Sequence, residues 1–239
     1  MNLVNGHWST PLTRSGRSAI VPPGPWRYGQ VGIGVHYRAD PKALKDVVPR
    51  PLEPDPSGEV FAYVVDQTSV SERVPELNSE IPGLLQYMEA AFLVKAHFNG
   101  KSYSYCPFAW VNKDLSLVRG LLAGWPKKIA EIEVTRLYPL LEGLDKPRKG
   151  LILGGYVSRS GYCLYKLKVK LETEESGDRT PDASMGPILL QRYFPGLGEE
   201  MSTVNELVVF DSDSRAMSWE GEGEITIVGG FNDELDPLK

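Results

Sequence analysis

The chain is poor in the residues that anchor disulfides and metals. Its 239 residues include two cysteines and three histidines. Cys106 and Cys163 cannot build the disulfide framework of a small secreted domain, so both are read as buried free thiols. His7, His36 and His97 are far apart and have no partner at ligand spacing, which argues against a zinc-type site. Long apolar runs are also missing. Stretches such as Leu121-Leu122-Ala123 fall far short of the roughly 18 residues a membrane-spanning helix needs. Residues 1–8 lack the basic and then apolar pattern of a signal peptide. No segment gathers five basic residues, and the net charge is −5. That is not the basic stripe of a nucleic-acid-binding protein. A cytoplasmic protein with neither a nucleic-acid nor a membrane partner is therefore expected.

What is present is ordinary globular material, 41% hydrophobic and 24% charged, enough for one sizeable core. A single domain over residues 1–239 is expected, with 1–29 as an irregular arm rich in proline and glycine. Asp40-Pro41 followed by Lys42–Val48 and Pro49 predicts a helix, with Asp40 as cap and Pro41 in the first turn. Lys113 to Ala123 predicts a second, with Leu115, Val118, Leu121 and Leu122 on its buried face and Gly124 as its stop. Elsewhere the pattern alternates at period two. Strands are predicted at 30–37, 59–67, 89–98, 102–111, 127–138, 150–158, 162–172, 203–211 and 215–228. Asn99-Gly100 marks a tight hairpin, and Ser160-Gly161 a weaker one. Many strands and few helices predict a mostly β (α+β) fold, a closed antiparallel β barrel with a few peripheral helices.

Several motifs carry nothing. Asp211-Ser212-Asp213 starts like a calcium loop, but Arg215 and Ala216 spoil it. Glu220, Glu222 and Glu224 share one strand face and read as a solvated stripe. Gly196-Leu197-Gly198 is an isolated loop.

Trp125-Pro126-Lys127-Lys128 is different. Period two sends Lys127 and Lys128 to opposite faces, so one of them must look into the protein. The bland reading is a pair of surface charges at a strand start. The chemical reading is imine formation with a carbonyl. A free lysine, with a pKa of about 10.4, is neutral in only about one molecule in 2,500 at pH 7. Reaching a pKa near 7 takes roughly 4.6 kcal/mol. A second ammonium about 10 Å away gives only about 1.7 kcal/mol at an effective dielectric near 20. Desolvation must supply the rest.

On these residues the chain resembles the acetoacetate decarboxylase family. Pro126-Lys127-Lys128 is similar to the family's Schiff-base motif. Tyr37–Glu53 follows its first helix and exit, and Tyr87-Met88-Glu89 its catalytic Tyr-x-Glu. Phe98-Asn99-Gly100, Leu189–Pro195 and Trp219-Glu220-Gly221 echo it too. The resemblance implies a barrel in large homo-oligomers and a cofactor-free lyase acting on a small keto acid. Lys127 would form the imine, Glu89 would assist proton transfer, and Lys128 would add an electrostatic contribution. Glu89 is expected to be buried and either partly protonated or hydrogen-bonded elsewhere. The chain also departs from the family. Gln30 stands where the family's carboxylate-binding arginine is expected, leaving Arg27 as the near substitute, with Trp125 beside the lysine. A second acidic residue is absent near Phe61-Ala62-Tyr63, and Arg119-Gly120-Leu121 replaces a Gly-Arg-Glu. The leading expectation is a β-keto acid decarboxylase. Its rivals are a Schiff-base aldolase or dehydratase acting on a 2-oxo acid, and a non-catalytic barrel that binds a small ligand.

Overall fold

The computed structural model describes residues 8–15, 18–175, 185–196, 204–210 and 216–239. Asp211-Ser212-Asp213, Leu197-Gly198 and most of the first eight residues lie outside this set. Among the described residues, period-two alternation becomes twelve strands: β1 (Trp26–Arg38), β2 (Glu53–Pro54), β3 (Glu59–Ser71), β4 (Gln86–Phe98), β5 (Lys101–Val111), β6 (Lys127–Ile129), β7 (Glu131–Val134), β8 (Ile152–Arg159), β9 (Tyr162–Glu175), β10 (Ile188–Phe194), β11 (Val204–Phe210) and β12 (Ser218–Ile227). Among the described residues two α-helices are present, α1 (Leu77–Glu80) and α2 (Asp114–Ala123).

The strands form two sheets. One runs β1-β3-β4-β5-β10-β11, with β2 also pairing β4 and β6 also pairing β5; the other runs β12-β9-β8-β7. Neither sheet closes among the described residues, so the expected closed barrel is not found. Two stacked sheets take its place. Alternation marks which face of a strand is apolar, but it does not say whether the last strand of a sheet bonds to the first. The pairing is not wholly antiparallel either. β6 and β10 both lie parallel to β5, and α2 is the crossover between β5 and β6.

One face of the larger sheet, with Ala62 and Val64 of β3 and Met88, Ala90, Phe92 and Val94 of β4, packs on Val157, Tyr165 and Leu167 of the smaller sheet. Phe92, Trp110 and Tyr165 meet there with ring centroids 4.7–6.1 Å apart. Each such fully buried side chain contributes roughly 1.5–3 kcal/mol. The opposite face carries a smaller cluster that includes Phe61, Ala91, Leu93, Cys106 and Ala109.

Both predicted hairpin turns form, with positive φ at Asn99 and Gly100 and at Ser160 and Gly161. The helix expected over 41–48 shrinks to a 3₁₀ turn at Ala43–Asp46, although the Lys42 N–H does donate to Asp40 Oδ1 at 2.9 Å. The strand expected over 127–138 breaks at Ala130, where the chain passes from the larger sheet to the smaller. β10 was not predicted as a strand. Glu220, Glu222 and Glu224 are exposed on β12. Cys106 is buried and Cys163 only half-buried; both are free. No described helix is long and apolar enough to cross a membrane, and no described residues cluster as a metal site.

Candidate active site

The β5-α2-β6 crossover builds the site. α2 turns Leu115, Ser116, Arg119 and Gly120 inward and leaves Leu121 and Leu122 42% and 37% exposed. Leu115 is buried as expected, but Leu121 and Leu122 are not. The buried stripe instead takes in two polar side chains, Ser116 and Arg119, a costly arrangement unless those groups have partners inside. Gly124 stops the helix in the left-handed region at φ 101°, where its N–H bonds back to the Gly120 and Leu121 carbonyls. The chain then reverses through Trp125-Pro126 into β6.

Parallel register sets Lys127 beside Ala109 and Lys128 beside Trp110. The two lysines therefore leave opposite faces, as the alternation predicts. Lys127 is 9% exposed. Its Nζ donates to Glu89 Oε2 at 2.6 Å and to Ser116 Oγ at 3.1 Å. It also stands 5.8 Å from the Tyr87 ring centroid and 5.7 Å from that of Trp125. Gly120 makes room for the lysine stem, because a Cβ there would lie 2.3 Å from Lys127 Cδ.

Glu89 comes from β4, two residues after Tyr87 on the same face, and is 7% exposed. Tyr63 OH donates to its Oε1 at 3.0 Å. Glu89 is thus buried and hydrogen-bonded, as expected, but one of its partners is Lys127 itself. Burial, reinforced by the Glu89 charge, pushes the Tyr63 and Tyr87 phenols well above their usual range. Both stay protonated at neutral pH. The buried Cys106 thiol is pushed up in the same way, so it is no nucleophile here.

Arg119 is the residue that sequence reasoning passed over. It is 8% exposed, and it donates from Nη1 to Ser69 Oγ at 3.2 Å and from Nη2 to Tyr87 OH at 2.9 Å. The Trp26, Tyr28 and Tyr87 rings surround its guanidinium at 5.1–5.6 Å. Arg119 and Lys127 therefore stand over the same Tyr87 ring. Neither hydrogen-bond partner of Arg119 is an anion, and a guanidinium carries five N–H donors. The i, i+3, i+4 spacing of Ser116, Arg119 and Gly120 was the available signal.

Of the other expected site residues, Arg27 and Lys128 lie elsewhere, while Gln30 is in register with Gln67 and through it with Tyr87. Arg27 has a 74% exposed side chain and pairs with Glu72 at 3.3 Å. It sits on the strand face opposite Trp26 and Tyr28. Gln30 is exposed. The Lys128 ammonium forms an ion pair with Glu234 and lies 5.4 Å from the Phe108 ring. A separate cleft bounded by Lys128, Arg159, Tyr162, Phe231 and Glu234 opens on that side of β6.

The acetoacetate decarboxylase (ADC) family matches residues 9–239. Among curated proteins, acetoacetate decarboxylase 2 of Mesorhizobium japonicum is 30% identical over 125 residues, 52% of this chain and 42% of its own length. The acetoacetate decarboxylase of Clostridium acetobutylicum is 28% identical over 123 residues, 51% of this chain and 44% of its own. These matches thus span less than half of each curated relative. Solved structures align along nearly the whole chain. An acetoacetate decarboxylase-like enzyme from Sphingomonas wittichii RW1 superposes with TM-score 0.88 at 29% identity, covering 97% of this chain and 90% of that one. The enduracididine biosynthesis enzyme MppR, complexed with the condensation product of pyruvate and imidazole 4-carboxaldehyde, gives 0.84 at 26% identity, with 99% and 89% covered. With the family match running from residue 9 to residue 239, the chain belongs to the acetoacetate decarboxylase family.

Proposed function

We propose that this protein is a Schiff-base lyase that performs aldol or dehydration chemistry on a small 2-oxo acid. The observation that carries this reading is the buried trio of Lys127, Glu89 and Arg119 around Tyr87. Lys127 must lose a proton before it can attack a ketone, and Glu89 Oε2 at 2.6 Å is a direct acceptor. Attack of Nζ on the carbonyl carbon gives a carbinolamine, and Glu89 returns its proton to the departing hydroxyl; loss of water leaves a protonated imine, which is the electron sink, beside an ionised Glu89. Glu89 then takes a proton from the adjacent carbon. The resulting enamine can add to an aldehyde, and hydrolysis returns Lys127. The ring of Trp125 walls the lysine. No metal or organic cofactor enters this sequence of steps.

Arg119 favours retention of the carboxylate over its loss. A buried guanidinium with donors left unspent among the described residues suits a bidentate contact to a carboxylate. The carboxylate-binding arginine that the resemblance implies for a decarboxylase is expected on β1, at Gln30 or Arg27, whereas Arg119 offers this contact from α2. Arg27, the substitute anchor expected for a decarboxylase, points to solvent. The similarity to an enzyme solved with a pyruvate condensation product supports the same choice. The second reading is decarboxylation of a β-keto acid, which the names of the curated relatives favour.

Borohydride trapping with pyruvate and with acetoacetate, read by intact and peptide mass, tests both. A pyruvate adduct on Lys127 without carbon dioxide release from acetoacetate is the expected result. Catalytic carbon dioxide release transfers the assignment to the second reading. The absence of any adduct overturns both.

A further inference from the structure

Glu89 is held at both oxygens. Oε2 accepts from Lys127 and Oε1 from Tyr63 OH at 3.0 Å. Tyr63 on β3 faces Ala91 on β4, while Val65 faces Glu89. Tyr63 and Glu89 are thus diagonal cross-strand neighbours, a separation that an aromatic side chain can bridge. The phenol is fixed from two directions. Its ring packs against that of Phe61, with centroids 5.9 Å apart. Its backbone carbonyl accepts from the OH of fully buried Tyr165, in the other sheet, at 2.8 Å. Imine formation takes hydrogens from Lys127 Nζ and so weakens the 2.6 Å contact. Among the described hydrogen bonds of Glu89, the one from Tyr63 is then the bond that remains. A phenol supplies it without adding a second negative charge beside Lys127 and Arg119.

Resting on the imine reading of Lys127, we propose that Tyr63 is a positioning residue for Glu89. It engages Oε1 throughout the reaction, leaves Oε2 as the oxygen that carries the proton, and keeps the carboxylate aimed at the substrate carbon after the lysine has become an imine. Its contribution falls on the carbon–hydrogen step rather than on imine formation. This distinguishes it from a residue that merely supports the fold.

Exchange of the pyruvate methyl protons in D₂O, followed by NMR, reads the carbon–hydrogen step; borohydride trapping reads the imine. In the full chain, Tyr63→Phe keeps the ring and removes the hydroxyl. Trapping should stay within about threefold of wild type, while exchange falls about 10- to 100-fold, the scale of one hydrogen bond to a charged group. Tyr63→Phe with normal trapping and wild-type exchange overturns the role of Tyr63 alone. An equal fall in trapping and exchange also overturns it, as general damage to the site. A wild-type protein that traps no keto acid overturns the imine reading and this role with it.

Discussion

Gly120→Ala is the most discriminating change, because it removes no polar group from the site and acts only on where Lys127 sits. A Cβ at Gly120 would lie 2.3 Å from Lys127 Cδ, 2.7 Å from Cε and 3.0 Å from Cγ. Apolar carbons rest about 3.5 Å apart or more. The lysine stem must therefore retreat by roughly 1.2 Å, the difference between 3.5 and 2.3 Å. The retreat pulls Nζ off Glu89 Oε2 and Ser116 Oγ, now at 2.6 and 3.1 Å. A displacement of about 1 Å in a reacting group can cost on the order of 100-fold in rate. The fold should hardly notice. Alanine favours a helix interior over glycine by about 0.5–1 kcal/mol, which partly offsets the strained lysine contacts. Trapping of pyruvate by borohydride should slow by about 10- to 100-fold, while urea denaturation stays within about 2 kcal/mol of wild type. A Gly120→Ala protein that traps at the wild-type rate would refute the idea that Nζ must sit where Glu89 and Ser116 hold it.

Other changes test the remaining assignments. Lys127→Arg should abolish trapping at every pH, because a guanidinium stays charged and cannot form the imine; any residual adduct by mass would place the chemistry on another lysine. Lys128→Ala should leave trapping within about fivefold, because its side chain is 37% exposed and already paired with Glu234, and such exposed pairs contribute only about 0–1 kcal/mol. A loss as deep as that of Lys127→Ala would mean that the two lysines act together. Asp55→Asn tests stability against pH. Burial raises the Asp55 carboxyl, but hydrogen bonds from Ser57 and His97 outweigh it and hold the group at about 2. A depressed carboxyl stabilises the fold above its unfolded value, near 3.9, and that stabilisation disappears as pH falls toward the folded one. The variant should melt below wild type at pH 7, with the gap closing between about pH 4 and pH 2; a gap that persists at pH 2 would contradict the charge assignment.

The sequence by itself determined the local matters. Asn99-Gly100 and Ser160-Gly161 encode their turns, because positive φ is a property of those residues. Two-residue alternation placed most strands and sent Lys127 and Lys128 to opposite faces. The family motif singled out Lys127 and Glu89, and the structure brings them to 2.6 Å. Tertiary structure decided what depends on distant pairing. Closure of a barrel is set by whether the first and last strands of a sheet meet, and among the described residues β1 and β11 remain as separate edges. The buried face of α2 could not be read from its leucines, because Arg119 finds partners on β3 and β4 that are remote in sequence, and Ser116 meets Lys127 of β6 across the crossover. Arg27 and Arg119 are equally cationic on paper. Only the packing of α2 against the larger sheet buries Arg119 beside Tyr87 and leaves Arg27 in solvent with Glu72.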